Sequence, residues 1–129
     1  MTPYALGVAA EKRTAEHLRR DGYFVIESRG SHGPADLVAV KPGQVLMIQV
    51  KRGEARLDDG WWNELADAAA KAGALAIVAD WPAPPGRVRG RLRLRRITGQ
   101  HHARSKAWPC ALFVTDELAE AQVRALGSR

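Results

Sequence analysis

The chain predicts an α/β sandwich built around a mixed sheet, and three observations carry that prediction. Its segments run helix, three strands, helix, strands, helix, an order that packs helices onto a sheet. Its periodicity changes from a three-to-four spacing near the start to a period of two in residues 87–97. Its 129 residues, 46% hydrophobic and 26% charged, are enough for one ordinary globular domain with its own core.

Thr2-Pro3 reads as an N-cap followed by proline at the first helical position. From there Tyr4, Val8, Glu11, Ala15 and Leu18 form one helical stripe, and Asp21-Gly22 ends it. Tyr23 to Ile26 is a short apolar strand and Asp36 to Val40 a second. Lys41-Pro42-Gly43-Gln44 suits a type II turn, and Val45 to Lys51 returns from it. Asp58-Asp59 caps a helix from Gly60 or Trp61 to Ala72, with Gly73 placed as its stop. A fourth strand spans Ala74 to Ala79. Residues 87–97 then alternate arginine with Val88, Gly90, Leu92 and Leu94, a strand with one basic face. Ala111 to Val114 is a last strand and Asp116 to Leu126 a closing helix.

Cys110 is the single cysteine, which excludes a disulfide framework and a cysteine-based zinc site. The first residues lack the pattern of a signal peptide, and no apolar run is long enough to span a bilayer. A soluble, cytoplasmic protein with no membrane association is the expectation. The formal charge of +6 and the pI of about 10.1 point to a polyanionic partner. No acidic residue lies between Asp80 and Asp116, where eight arginines and lysines fall. Such a block is either a phosphate-binding patch or a solvated face.

The turn at 41–44 sets a register in which cross-strand partners sum to 85, so Asp36 faces Gln49 and Lys51 lies one diagonal step beyond. Leu37, Ala39, Leu46, Ile48 and Val50 form the other, core face. The face with Val38, Val40, Val45 and Met47 turns polar at the end far from the turn. Glu11 stands inside an apolar stripe, where a carboxylate needs a cation or donor. Its simplest satisfying arrangement points it at the same cluster; the alternative is a surface glutamate on a stripe misphased by one residue. Two carboxylates, an amide oxygen and the Val50 carbonyl suit Mg²⁺, with Mn²⁺ as a substitute. Such a site fits metal-assisted phosphodiester hydrolysis, in which Lys51 orients water and neutralises phosphate.

The run Pro34-Ala35-Asp36, twelve residues, then Gln49-Val50-Lys51 resembles the PD-(D/E)XK nuclease signature, relaxed to P-x-D and QxK. Together with the helix Gly7-Val8-Ala9-Ala10-Glu11-Lys12-Arg13 and the stretch Arg29 to Gly33, it is similar to the archaeal-type Holliday junction resolvases over about residues 5–55. That resemblance implies a restriction-endonuclease-like α/β sandwich with a central mixed sheet flanked by helices. It also implies a homodimeric, Mg²⁺-dependent endonuclease that nicks branched DNA at four-way junctions. On it, Glu11, Asp36, Gln49 and Lys51 are the catalytic set; Glu11, Asp36, Gln49 and Val50 are the metal ligands; Arg29 and Ser31 lie near the DNA. Gln49 stands where most such nucleases have Glu, removing one formal charge from the site.

Arg52 is either a phosphate contact or a solvated strand end. Arg89, Arg91 and Arg93 either track a DNA backbone or solubilise an edge strand. Trp61-Trp62 reads as one buried ring and one at an interface, or as a base-stacking pair. His101-His102 is not read as a metal pair, because adjacent residues rarely converge on one ion. Cys110 reads as an apolar filler. The segment 111–126 is the candidate dimer interface. A nuclease for other branched or damaged DNA, and a non-catalytic nucleic-acid binder with a decayed site, stay open beside the resolvase reading.

Overall fold

A computed structural model describes residues 3–28, 33–52, 58–81, 92–113 and 115. The first helix, α1 (Pro3–Arg20), ends where Tyr23 N–H reaches back to the Leu18 carbonyl and Gly22 takes a φ of 90°. Three antiparallel strands follow, β1 (Phe24–Glu27), β2 (Leu37–Lys41) and β3 (Gln44–Arg52). Gly43 turns the β2–β3 hairpin at a φ of 76°, the left-handed position that type II requires. Helix α2 (Asp59–Ala72) starts where the Asp58 carboxylate accepts from Gly60 N–H at 2.6 Å and Trp61 N–H at 3.4 Å. It stops at Gly73, whose φ is 68°.

α2 crosses over to β4 (Leu75–Trp81), which pairs parallel to β3. β5 (Arg93–Ile97) and β6 (Cys110–Phe113) add antiparallel neighbours, so the sheet order follows the chain from β1 to β6. The result is a mixed six-stranded sheet with a helix on each face. Of the strand expected over 87–97, β5 covers the second half and residues 87–91 lie outside the described residues, as do Val114 of the expected last strand and the closing helix expected over 116–126.

Side-chain alternation divides the core between the two faces. On the α1 face, Ala15 and Leu18 pack against Val25, Leu37, Ala39, Leu46, Ile48, Ile77 and Leu94. On the α2 face, Trp62, Leu65 and Ala69 pack against Ala76, Val78 and Ile97. α2 covers β3 and β4, and Phe24 and Ile26 of β1 are exposed. Cys110 is a half-buried free thiol at the edge of the α2-side core. Among the described residues, no helix is long and apolar enough to cross a membrane.

Candidate functional site

The hairpin register carries the site. Val40 pairs with Val45, Val38 with Met47 and Leu37 with Ile48, each summing to 85. At Asp36 the regular ladder stops. Its N–H bonds the Ile48 carbonyl at 2.8 Å, and its carboxylate Oδ2 accepts from Val50 N–H at 2.9 Å. Asp36 therefore does not face Gln49 as a simple pair; its side chain takes over the ladder and ties itself to the next amide. The other carboxylate oxygen accepts no hydrogen bond among the described residues. In an extended strand, N–H and C=O of one residue point the same way, so the Val50 carbonyl also faces the Asp36 side.

Burial is the main influence on the Asp36 carboxyl and pushes its pKa above the ordinary value of 3.8. The Val50 N–H bond and the Lys51 charge pull in the opposite direction. Gln49 and Lys51 share the α2 face of β3, whereas Val50 packs towards α1. The Lys51 ammonium sits 4.5 Å above the Trp61 ring centroid.

Two cross-strand rows extend this face across the sheet. Lys51 neighbours Asp80, which faces Arg93; Gln49 neighbours Val78, which faces Arg95. One oxygen of Asp80 holds both arginines, Arg93 at 3.3 Å and Arg95 at 2.8 Å. The expected one-signed arginine face is thus a carboxylate-bridged pair at this end of β5. Asp80 lies one residue beyond the strand that the sequence predicts over Ala74 to Ala79, so its pairing with the arginine ladder is not visible there. Extending that strand's period of two to Trp81 puts Asp80 in phase with Ala76 and Val78, beside Lys51.

Glu11 stands on α1, at the end of the sheet nearest Lys51. Its helix packs on the α1 face, opposite Gln49 and Lys51, so an approach to Asp36 must come round the end of the sheet. Glu11 is half-buried, and that end is the correct one. Thr14 Oγ1, less than one turn away, accepts from Trp81 Nε1 at 2.8 Å, and Arg13 covers the Trp81 ring at 4.2 Å. Trp81 pairs with Arg52 at the end of β3 that holds Lys51. The Arg52 side chain, with Arg29, Ser31, Arg89 and Arg91, lies outside the described residues.

Trp62 is the buried member of the tryptophan pair, donating Nε1 to the Gly99 carbonyl at 3.1 Å. His101 is buried, with Nδ1 on Asp59 Oδ1, Nε2 against the Ser105 carbonyl at 3.0 Å, and its ring stacked on Trp108 at 3.4 Å. It pins the 98–109 segment to α2, while His102 is exposed. Among the described residues no three His, Cys, Asp or Glu side chains form a group suited to a metal. The Glu11, Asp36 and Gln49 set contains only two such residues and relies on amide and carbonyl oxygens for the rest. Those hard oxygens, with Asp36 Oδ1 left open, fit a Mg²⁺-like ion.

No protein-family model matches the chain, and no curated protein sequence matches it. Among solved structures it is similar to Hjc of Archaeoglobus fulgidus, a Holliday junction resolvase from an archaeal hyperthermophile. The two superpose with a TM-score of 0.59 at 20% identity, over 88% of this chain and 92% of the other. At that identity the likeness establishes a shared fold, a mixed sheet sandwiched by helices.

Proposed function

We propose that this protein is a metal-dependent, structure-selective DNA endonuclease that hydrolyses phosphodiester bonds at four-way junctions. One observation carries the reading most of the way: the Asp36 carboxylate is held by the Val50 amide at the end of the β2–β3 hairpin, beside Gln49 and Lys51, on a resolvase-like fold. A hard cation, Mg²⁺ or Mn²⁺, would be held by Asp36, the Gln49 amide oxygen, the Val50 carbonyl and Glu11 reaching round the sheet end. When bound, that ion supplies Lewis acidity at a phosphoryl oxygen.

The chain's own groups do the remainder. The Val50 amide fixes the Asp36 carboxylate in one orientation. Lys51 brings positive charge to the phosphate and orients a water for attack. Arg93, exposed on the same face two strands away, takes a flanking phosphate of the bound strand. Paired nicks across a symmetric junction require two such sites, hence a C2 homodimer. The exposed Leu112 on the outermost strand β6 is its candidate contact.

The test is cleavage of an end-labelled four-way junction in Mg²⁺, beside a linear duplex and a flap, by wild type and Asp36→Ala. Symmetric paired nicks in the junction alone, abolished by the substitution, are the expected result. Cutting of all three substrates makes the protein a general nuclease. Tight junction binding without cutting in Mg²⁺ or Mn²⁺ makes it a binding protein in which Gln49 has cost the site its activity.

A further inference from the structure

We propose that Trp61 is the positioning residue for Lys51, its indole face holding the ammonium at the working end of the hairpin. The proposal rests on the nuclease reading and adds to it a residue outside the signature. Lys51 carries four rotatable side-chain bonds and, among the described residues, makes no ion pair. What it does touch is the Trp61 ring, 4.5 Å from Nζ to centroid, within range of a cation–π attraction.

The ring is itself firmly mounted. Trp61 lies in the first turn of α2, where its own N–H is one of the two that cap onto Asp58. Its ring stands tilted against Trp62 at 5.8 Å and 56°, and Trp62 is fully buried and bonded to Gly99. Among the described residues Trp61 Nε1 has no hydrogen-bond partner, so none of them turns the indole elsewhere by a polar contact. Asp58, Trp61 and Lys51 thus form a chain from the helix start to the strand end. It sets the ammonium on the same face as Gln49, where its charge reaches Asp36. The indole face is the best of the aromatic surfaces for this purpose, and an aliphatic side chain of similar bulk offers packing without it.

The experiment uses the full chain with Trp61→Leu, Trp61→Met and Trp61→Phe, an end-labelled four-way DNA junction, and Mg²⁺. Single-turnover cleavage should fall about tenfold in the Leu and Met variants, while junction affinity measured in Ca²⁺ stays within about twofold. Phe should recover most of the rate. In parallel, NMR should find the Lys51 ε-methylene protons shifted upfield by the ring current in wild type and Trp61→Phe, and unshifted in Leu or Met. Wild-type rates in the Leu and Met variants, a Phe variant as slow as Leu, or unshifted methylenes in wild type would each overturn the proposal. A wild-type protein that cuts no junction overturns the nuclease reading and this one together. A nuclease indifferent to Trp61→Leu overturns this one alone.

Discussion

Asp80→Asn tests how the basic face beside Lys51 is held. The substitution keeps the shape of the side chain and removes the charge shared by Arg93 and Arg95. The Arg95 side chain is 19% exposed and Asp80 15%, so this pair is mostly out of water; Arg93 is 55% exposed. Unit charges 4 Å apart attract by about 4 kcal/mol at an effective dielectric of 20, and the retained neutral hydrogen bond recovers about half of that. The Arg95 pairing then contributes about 2 kcal/mol, and the exposed Arg93 pairing adds roughly 0.5 kcal/mol. For a chain of 129 residues, each kcal/mol shifts Tm by about 4 °C. Scanning calorimetry should therefore find Asp80→Asn lower by about 10 °C. Restoring apolar packing with Asp80→Leu plus Arg95→Met should recover at least half of the loss, since no buried charge is left unpaired. A single variant within about 2 °C of wild type, or a double variant no better than the single, would refute the reasoning.

Gln49→Glu adds a third carboxylate beside Asp36 and should raise Mg²⁺ affinity by roughly 10- to 100-fold in isothermal titration. Asp36→Asn keeps an oxygen for the Val50 amide but cannot ionise. Because burial raises the folded-state pKa above 3.8, the ionised form costs stability once pH rises through that folded value. In metal-free buffer at pH 7 Asp36→Asn should thus melt above wild type, with the gap narrowing as pH falls towards 3.8, and it should cut nothing. Arg93→Ala should weaken junction binding evenly across sequences and lower the salt slope by about one. His101→Leu leaves Asp59 and the Ser105 carbonyl without their ring partner, and hydrogen exchange should accelerate across residues 98–109 while β2 and β3 keep their protection.

The hairpin and its register were legible because a proline-glycine turn and period-two alternation leave few alternatives. Both ends of α2 were legible for a similar reason, since Asp58 and Gly73 each do something few residues can. The site was legible only as far as one hairpin reaches. Asp36, Gln49 and Lys51 could be placed by counting, but the break in the ladder at Asp36 depends on the chain leading into β2. Asp80 was hidden because its proximity to Lys51 arises from a parallel pairing across α2, which no local pattern encodes. The face on which α1, and with it Glu11, would lie was hidden likewise, because a helical stripe does not say which face of a sheet it will cover. Trp61 looked like half of a packing pair until the crossover put Lys51 over its ring.

The sheet order, in which each strand lies beside its predecessor, has a kinetic consequence. Of the five pairings, the β1–β2 and β2–β3 links close over short stretches of chain, whereas β3–β4 must wait for the whole of α2 to fold back. Closing that longer loop draws on entropy before any of its contacts form. The Asp36–Val50 bond belongs to the early hairpin; the Lys51–Trp61 contact and the Asp80 row belong to the late crossover. A nascent chain that has made the hairpin alone therefore carries its acid in place and its lysine loose. The face that carries Lys51 and Asp80 is finished only by the topologically slowest step.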